Sequence, residues 1–160
     1  MPTLVRMTEV QYLAYVGDAI PGYAAEQVTS GQWSQEEALG LAHKAYQELL
    51  PQGLNTPDNY FYAVQDSQGN SVGTLWVAVQ NRAGKRIAYL YDISIKPEHR
   101  RRGFAKSALL ALEEQARTLG LSGIALHVFG HNSEAQALYT MLGYQTTDIS
   151  MFKSLARPGA

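Results

Sequence analysis

The 160-residue chain contains no cysteine. That excludes a disulfide scaffold, a zinc knuckle, an iron–sulfur cluster and a thiol nucleophile. Long apolar runs are missing as well. From Met1 to Glu26 the apolar residues are interrupted by Glu9, Asp18 and Glu26. The stretch therefore has neither the h-region of a signal peptide nor the roughly 20 apolar residues of a membrane span. These absences suit a soluble, cytoplasmic protein with no membrane partner. Neither sign of charge dominates: 13 Lys and Arg stand against 14 Asp and Glu, for a formal net charge of -1. The pI of about 6.4 is too low for a protein that coats nucleic acid with its whole surface. Internal repeats, low-complexity tracts and Pro/Gly-rich linkers are absent too. What remains, at 46% hydrophobic and 17% charged, reads as one domain over 1–160. Such a length buries about 68–70% of its unfolded surface without staples.

The neutral balance conceals a local excess. Lys96, Arg100, Arg101, Arg102 and Lys106 supply 5 of the 13 basic residues within eleven positions, opposed only by Glu98. A single basic cluster in a neutral chain points to a small polyanionic ligand rather than to nucleic acid.

Periodicity and punctuation give the elements. A short strand Leu4–Met7 precedes a helical region Glu9–Ser30, which Pro21 and Gly22 are expected to kink or divide. Ser34 and Glu37 form a capping-box signature, followed by Ala38, Leu41, Ala42, Ala45 and Leu49 on one helical face. After the loop Pro51–Asn59, strands Tyr60–Gln65 and Val72–Val79 form a hairpin, and Arg86–Ile95 is a third long strand. Phe104–Leu119 is a helix with Ala105, Ala108, Leu109, Leu112, Ala116 and Leu119 on its apolar face and Gly120 as its stop. Ile124–Phe129 is a strand, Ser133–Leu142 a helix, and Tyr144–Leu155 a last strand. The order β-α-α-β-β-β-α-β-α-β implies an α/β (α+β) domain, a mixed sheet with helices on both faces.

Chemistry concentrates where the third long strand meets the helix at Phe104. A strand, a basic loop, Gly103 and a helix N-terminus follow one another. Unpaired N–H groups and the positive end of the helix dipole suit phosphate there. Gly103 keeps a Cβ away from an approaching oxygen, Ala105 is nearly as small, and the arginines add flanking charge. No Gly-Lys-Ser/Thr follows, so this is not a Walker loop, and the three-glycine dinucleotide pattern is absent.

Two motifs then carry a resemblance. Ile95-x-Pro97 with Arg100-x-x-Gly103-x-Ala105, and Asn132-x-x-Ala135-x-x-Leu138-Tyr139-x-x-x-Gly143-Tyr144, resemble the two signatures of the GNAT N-acetyltransferase superfamily. They stand in the right order, about 30 residues apart. The resemblance extends over essentially the whole chain; its N-terminal half is similar to small bacterial members. Ala105 departs from the second glycine of many members. The resemblance implies a mostly antiparallel sheet with a splayed strand pair, and acetyl-CoA as co-substrate. It implies that Arg101, Arg102, Gly103, Phe104, Ala105 and Lys106 hold the pyrophosphate through their N–H groups, with Arg100 beside them. A bulge in the strand before the loop would open a slot, Asp92 lying one residue before it. Ile93 and Ile95 would turn main-chain groups to the pantetheine arm and the thioester. Asn132 would bond the pantetheine or merely cap its helix. Tyr139 would protonate the departing thiolate, or pack in the core with Ala135, Leu138 and Leu142. The base that deprotonates the acceptor is Asp92 first, then Glu26, then His127, with water as the remaining choice. Tyr23, Glu26, Trp33 and His127 would line an acceptor site for a small-molecule or peptide amine. No metal ligand set is found: His127 and His131 are four apart but not on a helix. A homodimer is left open, and the other class in play is an acyl-CoA sensor without transfer.

Overall fold

The computed structural model describes residues 3–157. Five strands, β1 Thr3–Arg6, β2 Asn59–Gln65, β3 Ser71–Arg82, β4 Lys85–Ile95 and β5 Ile124–Leu126, form one sheet in the order β1-β2-β3-β4-β5. The first four run antiparallel to their neighbours, and β5 joins β4 in parallel. Four helices complete the fold: α1 Glu9–Thr29, α2 Ala38–Leu49, α3 Phe104–Thr118 and α4 Ser133–Met141. The expected mixed, mostly antiparallel sheet with helices on both faces is what the chain adopts.

Strand alternation sorts the core into two layers. Tyr62, Val64, Leu75, Val77, Ala88 and Leu90 meet Ala108, Leu109 and Leu112 of α3, with Leu138, Tyr139 and Leu142 packed alongside. On the opposite face Phe61 and Trp76 meet Tyr12, Tyr15, Tyr46 and Leu50 of the α1–α2 pair. That second layer is strongly aromatic. Trp76 stacks on Tyr91 at 4.3 Å and on Phe61 at 5.4 Å.

Several local readings need correction. α1 is not divided at Pro21 but continues to Thr29. Pro21 removes one N–H, and Pro21 and Gly22 lie on the exposed side. Ile20, Tyr23 and Ala24 stay packed around them, which holds the helix through the proline. The Ser34–Glu37 capping box forms, with bonds of 3.3 and 3.4 Å, one turn before the regular part of α2. The buried stripe of α2 is Ala38, Ala42 and Tyr46, while Leu49 is largely exposed. β5 ends at Leu126, short of Phe129. Residues 144–157 form no strand within this chain.

One glycine is fixed by space alone. A Cβ on Gly73 would run into the Ser94 carbonyl oxygen and stand 2.8 Å from Ile95 Cδ1. Gly73→Ala must therefore part β3 from β4, and we expect a loss of about 1–3 kcal/mol in urea unfolding. Gly17→Ala, on the open surface of α1 where a Cβ meets nothing, should instead stabilise by roughly 0.4–1 kcal/mol.

Candidate active site

β4 and β5 pair only from Ala88 to Leu90 and from Ile124 to Leu126. Beyond that ladder Tyr91–Ile95 has no partner on the β5 side, so the two strands leave a slot between them. The expected bulge is present but sits earlier than expected. Trp76 opposes Asp92 and Val77 opposes Leu90, which leaves Tyr91 as the extra residue. Asp92 therefore follows the bulge directly instead of preceding it.

That one inserted residue decides where Asp92 points. Unbroken alternation would place it with Ala88 and Leu90, against α3. The bulge turns Tyr91 and Asp92 to the same side, toward α1, and sends Ile93 into the α3 layer. There the Tyr15 hydroxyl donates a 2.7 Å hydrogen bond to Asp92 Oδ2. Burial raises the Asp92 carboxyl above the ordinary aspartate value, and the bonds from Tyr15 and the Ile93 N–H only partly offset it. The Tyr15 phenol is driven well up, by burial first and by the Asp92 charge second. Tyr46 is raised in the same way, by burial and then by Asp92.

A folded-state pKa raised above the unfolded one has a definite sign. The native state binds more protons between the two values, so stability falls as pH rises through that window. Above it, the ionised Asp92 is a standing penalty. Asp92→Asn keeps an acceptor for Tyr15 and removes the charge. We expect it to raise Tm at neutral pH relative to wild type and to lose that advantage in acid, read from thermal melts at both pH values.

The loop after β4 is built around its main chain. Arg100 donates from Nε to the Ile95 carbonyl oxygen at 3.0 Å, which folds the loop back and occupies one of the main-chain groups expected to face the pantetheine. Arg101 and Gly103 both adopt positive φ, 62° and 80°. Among the described residues, none of the N–H groups from Arg101 to Lys106 donates to another protein group. Ser107 N–H is the first to bond back, to the Gly103 carbonyl at 3.0 Å. Six successive unpaired donors thus stand at the start of α3, as an anion cradle requires. The side chains stand outside it: Arg101 reaches Glu134 of α4 at 3.3 Å, Arg102 reaches toward His99, and Lys106 is exposed. The Phe104 ring is partly buried against the core, with the Arg102 guanidinium 6.0 Å from its centroid.

α4 closes the far side of the slot. Asn132 Oδ1 accepts from the Ala135 N–H at 3.2 Å, so the helix-cap reading of Asn132 holds. Among the described residues its side-chain NH2 has no hydrogen-bond partner. Tyr139 is half-buried, with its ring 5.5 Å from that of Tyr144. Its pKa is raised, by burial and then by the charge of Asp92. Acid and base candidates thus sense each other across the slot.

The remaining candidates divide into two groups. Tyr23 and Trp33 pack edge to face at 5.5 Å, and Tyr23 continues to Tyr46 at 5.9 Å, giving an aromatic wall that ends beside Asp92. Glu26 instead accepts a 2.6 Å hydrogen bond from His131 Nε2, which ties α1 to the loop before α4. His127 is exposed and rests on Phe129, which stacks on His131. Sequence reasoning missed Tyr15, Tyr46 and His131. The spacing Tyr15, Ala19, Tyr23, Glu26 on one helical face was a signal for the first. Among the described residues no three His, Asp or Glu side chains are grouped to hold a metal ion, and no helix is long and apolar enough to cross a membrane.

A sheet that opens between a parallel pair, with unpaired main-chain donors at its mouth, is what the resemblance carried by the two sequence motifs leads one to expect. Residues 26–144 match the acetyltransferase (GNAT) family. The Bacillus subtilis (strain 168) uncharacterized N-acetyltransferase YdgE is 36% identical over 153 residues, which is 96% of this chain and 98% of YdgE. YycN of the same organism, also an uncharacterized N-acetyltransferase, is 35% identical over 95% of this chain and 97% of its own. The YycN crystal structure superposes with a TM-score of 0.94, covering 98% of this chain and all of the other. This chain belongs to the GNAT family, and it is an N-acetyltransferase.

Proposed function

We propose that the chain moves an acetyl group from acetyl-CoA to a cationic primary amine by direct attack in a ternary complex. The observation that carries this reading is the run of unpaired N–H groups from Arg101 to Lys106 at the mouth of the β4–β5 slot. Six donors and the start of α3 suit a pyrophosphate, and Gly103 supplies the left-handed turn they need. The slot beyond Leu90 and Leu126 suits an extended arm, with unladdered main chain of β4 along one wall.

Acetyl-CoA supplies the activated acetyl carbon. Asp92, with its raised carboxyl and one oxygen held by Tyr15, attracts the ammonium and accepts its proton. The freed amine forms the C–N bond as the C–S bond breaks. Tyr139 gives its hydroxyl proton to the departing sulfur; kept neutral by burial and by Asp92, it remains a proton donor well into alkaline pH. Tyr23 and Trp33, backed by the buried Tyr15 and Tyr46, add ring faces that attract a cation and cover an apolar body. Glu26 and His131 sit at the edge of this wall, where they bear on the acceptor rather than on the acetyl donor.

Asp92→Asn separates the roles. We expect turnover to drop by about 10²-fold or more while the acetyl-CoA Kd, measured by calorimetry, stays within a few-fold. An equal loss of acetyl-CoA affinity would make Asp92 a structural residue of the bulge.

A further inference from the structure

The residues that follow α4 are built like a strand and used like none. Thr147, Ile149, Met151, Lys153 and Leu155 would share one side of an extended segment, and Asp148, Ser150, Phe152 and Ser154 the other. Half-buried strands carry this alternation. Yet every residue from 145 to 157 is exposed, with Ile149, Met151, Phe152 and Leu155 between 71% and 93% accessible. Four large apolar side chains on one extended stretch make an interaction surface, not an ordinary exterior.

The rest of the chain shows a matching gap. β5 pairs with β4 on one edge only, and among the described residues no strand lies beside its other edge. Among the described residues, none after Ala116 is buried; β5 and α4 contribute no fully buried side chain. A groove of about 600 Å³ runs along this region, lined among others by Glu113, Ile124, Leu126, Leu142 and Tyr144. The Tyr144 hydroxyl lies buried there with no hydrogen-bond partner among the described residues. Gly143, at φ 96°, and the bond from Tyr144 N–H to the Tyr139 carbonyl fix the direction in which the chain leaves α4. Beyond Thr147, which still lines the groove, the segment forms no ladder with its own β5.

We propose that segment 147–155 is a strand exchanged between two copies of this chain, each laying it along the free β5 edge and groove of the other. A second copy is the occupant because it carries the missing strand in the required form. The exchange is reciprocal, so one twofold axis satisfies both edges and leaves neither open to further growth. It covers Ile149, Met151 and Leu155, completes the layer over β5 and α4, and brings main-chain acceptors to the Tyr144 hydroxyl. The proposal does not depend on the identity of the acetyl acceptor.

The test uses the full chain in three readings. Light scattering should give a dimer mass, and amide exchange should show protection of 147–155. In an equimolar mixture of heavy- and light-nitrogen chains, refolded together and treated with carbodiimide, cross-links from Lys153 to Glu113 should join chains of unlike label. Met151→Asp with Leu155→Asp, both exposed in the single chain, should weaken dimerisation tenfold or more without unfolding the domain. A monomer throughout the micromolar range overturns the proposal. So does a dimer whose 147–155 amides exchange freely, since it would use another surface. Protection with cross-links only between like labels also overturns it, because the strand would then fold back on its own β5.

Discussion

Tyr139→Phe should turn over about 10²- to 10⁴-fold more slowly than wild type, the usual worth of a general acid. The substitution removes one hydroxyl and keeps the ring, so packing against Tyr144 and the α3 layer survives. Acetyl-CoA affinity should change little, because the hydroxyl acts in the transition state rather than in binding. The pH profile gives an independent reading. The acid must be protonated, so the rate falls as pH rises through the phenol pKa. Burial and the Asp92 charge both raise that pKa, which places the falling limb above the ordinary tyrosine value of about 10. Asp92→Asn removes one of the two causes and should move the limb to lower pH in whatever activity remains. In Tyr139→Phe the limb should vanish. A variant that retains wild-type rate and profile, on an acceptor for which chemistry is rate-limiting, would return Tyr139 to the core.

Gly103→Glu should abolish the thermal stabilisation that acetyl-CoA gives the wild-type protein. Gly103 holds φ 80° at the N-cap of α3, a conformation in which side chains other than glycine are strained. The substitution adds that strain and sets a carboxylate among six N–H donors. Gly103→Ala isolates the backbone contribution: its Cβ meets no other atom, so its cost without ligand is the left-handed strain alone, about 1–2 kcal/mol. The glutamate variant should therefore fold, as circular dichroism would show, yet bind acetyl-CoA at least a hundredfold more weakly. Full affinity in a folded Gly103→Glu protein would remove the loop from the site.

Much of this layout is written in local pattern. α3 buries Ala108, Leu109, Leu112 and Ala116 of the face its spacing marks, while Leu119, at the C-cap, is exposed. The donors left unpaired are those from Arg101 to Lys106, because a glycine-led helix start after a strand has no other acceptor within reach. The errors share a different cause. The Tyr91 bulge depends on how β4 registers against β3, and no property of Tyr91 itself announces it; with it goes the direction of Asp92. The spacing puts Leu49 on the inner face of α2 and passes over Tyr46, because hydropathy weighs side chains one by one, whereas α2 meets a sheet face already paved with Phe61 and Trp76. Pro21 failed to break α1 because tertiary packing on both sides of it outweighs one lost hydrogen bond. Alternation points to a strand over Tyr144–Leu155, which this chain does not form; alternation marks a segment suited to a sheet edge and carries no information on whether an edge is within reach.

The central claim is acetyl transfer to an amine, and release of free coenzyme A measures it most directly. The chain has no cysteine, so a thiol reagent sees no protein background. Enzyme and acetyl-CoA should release thiol only slowly until a panel of primary amines is added. The account predicts amine-dependent release matched mole for mole by acetylated amine in mass spectrometry, with no acetyl group left on the protein. Tight acetyl-CoA binding with no release across polyamines, amino acids, aminoglycosides and peptide N-termini would contradict it and leave an acyl-CoA sensor.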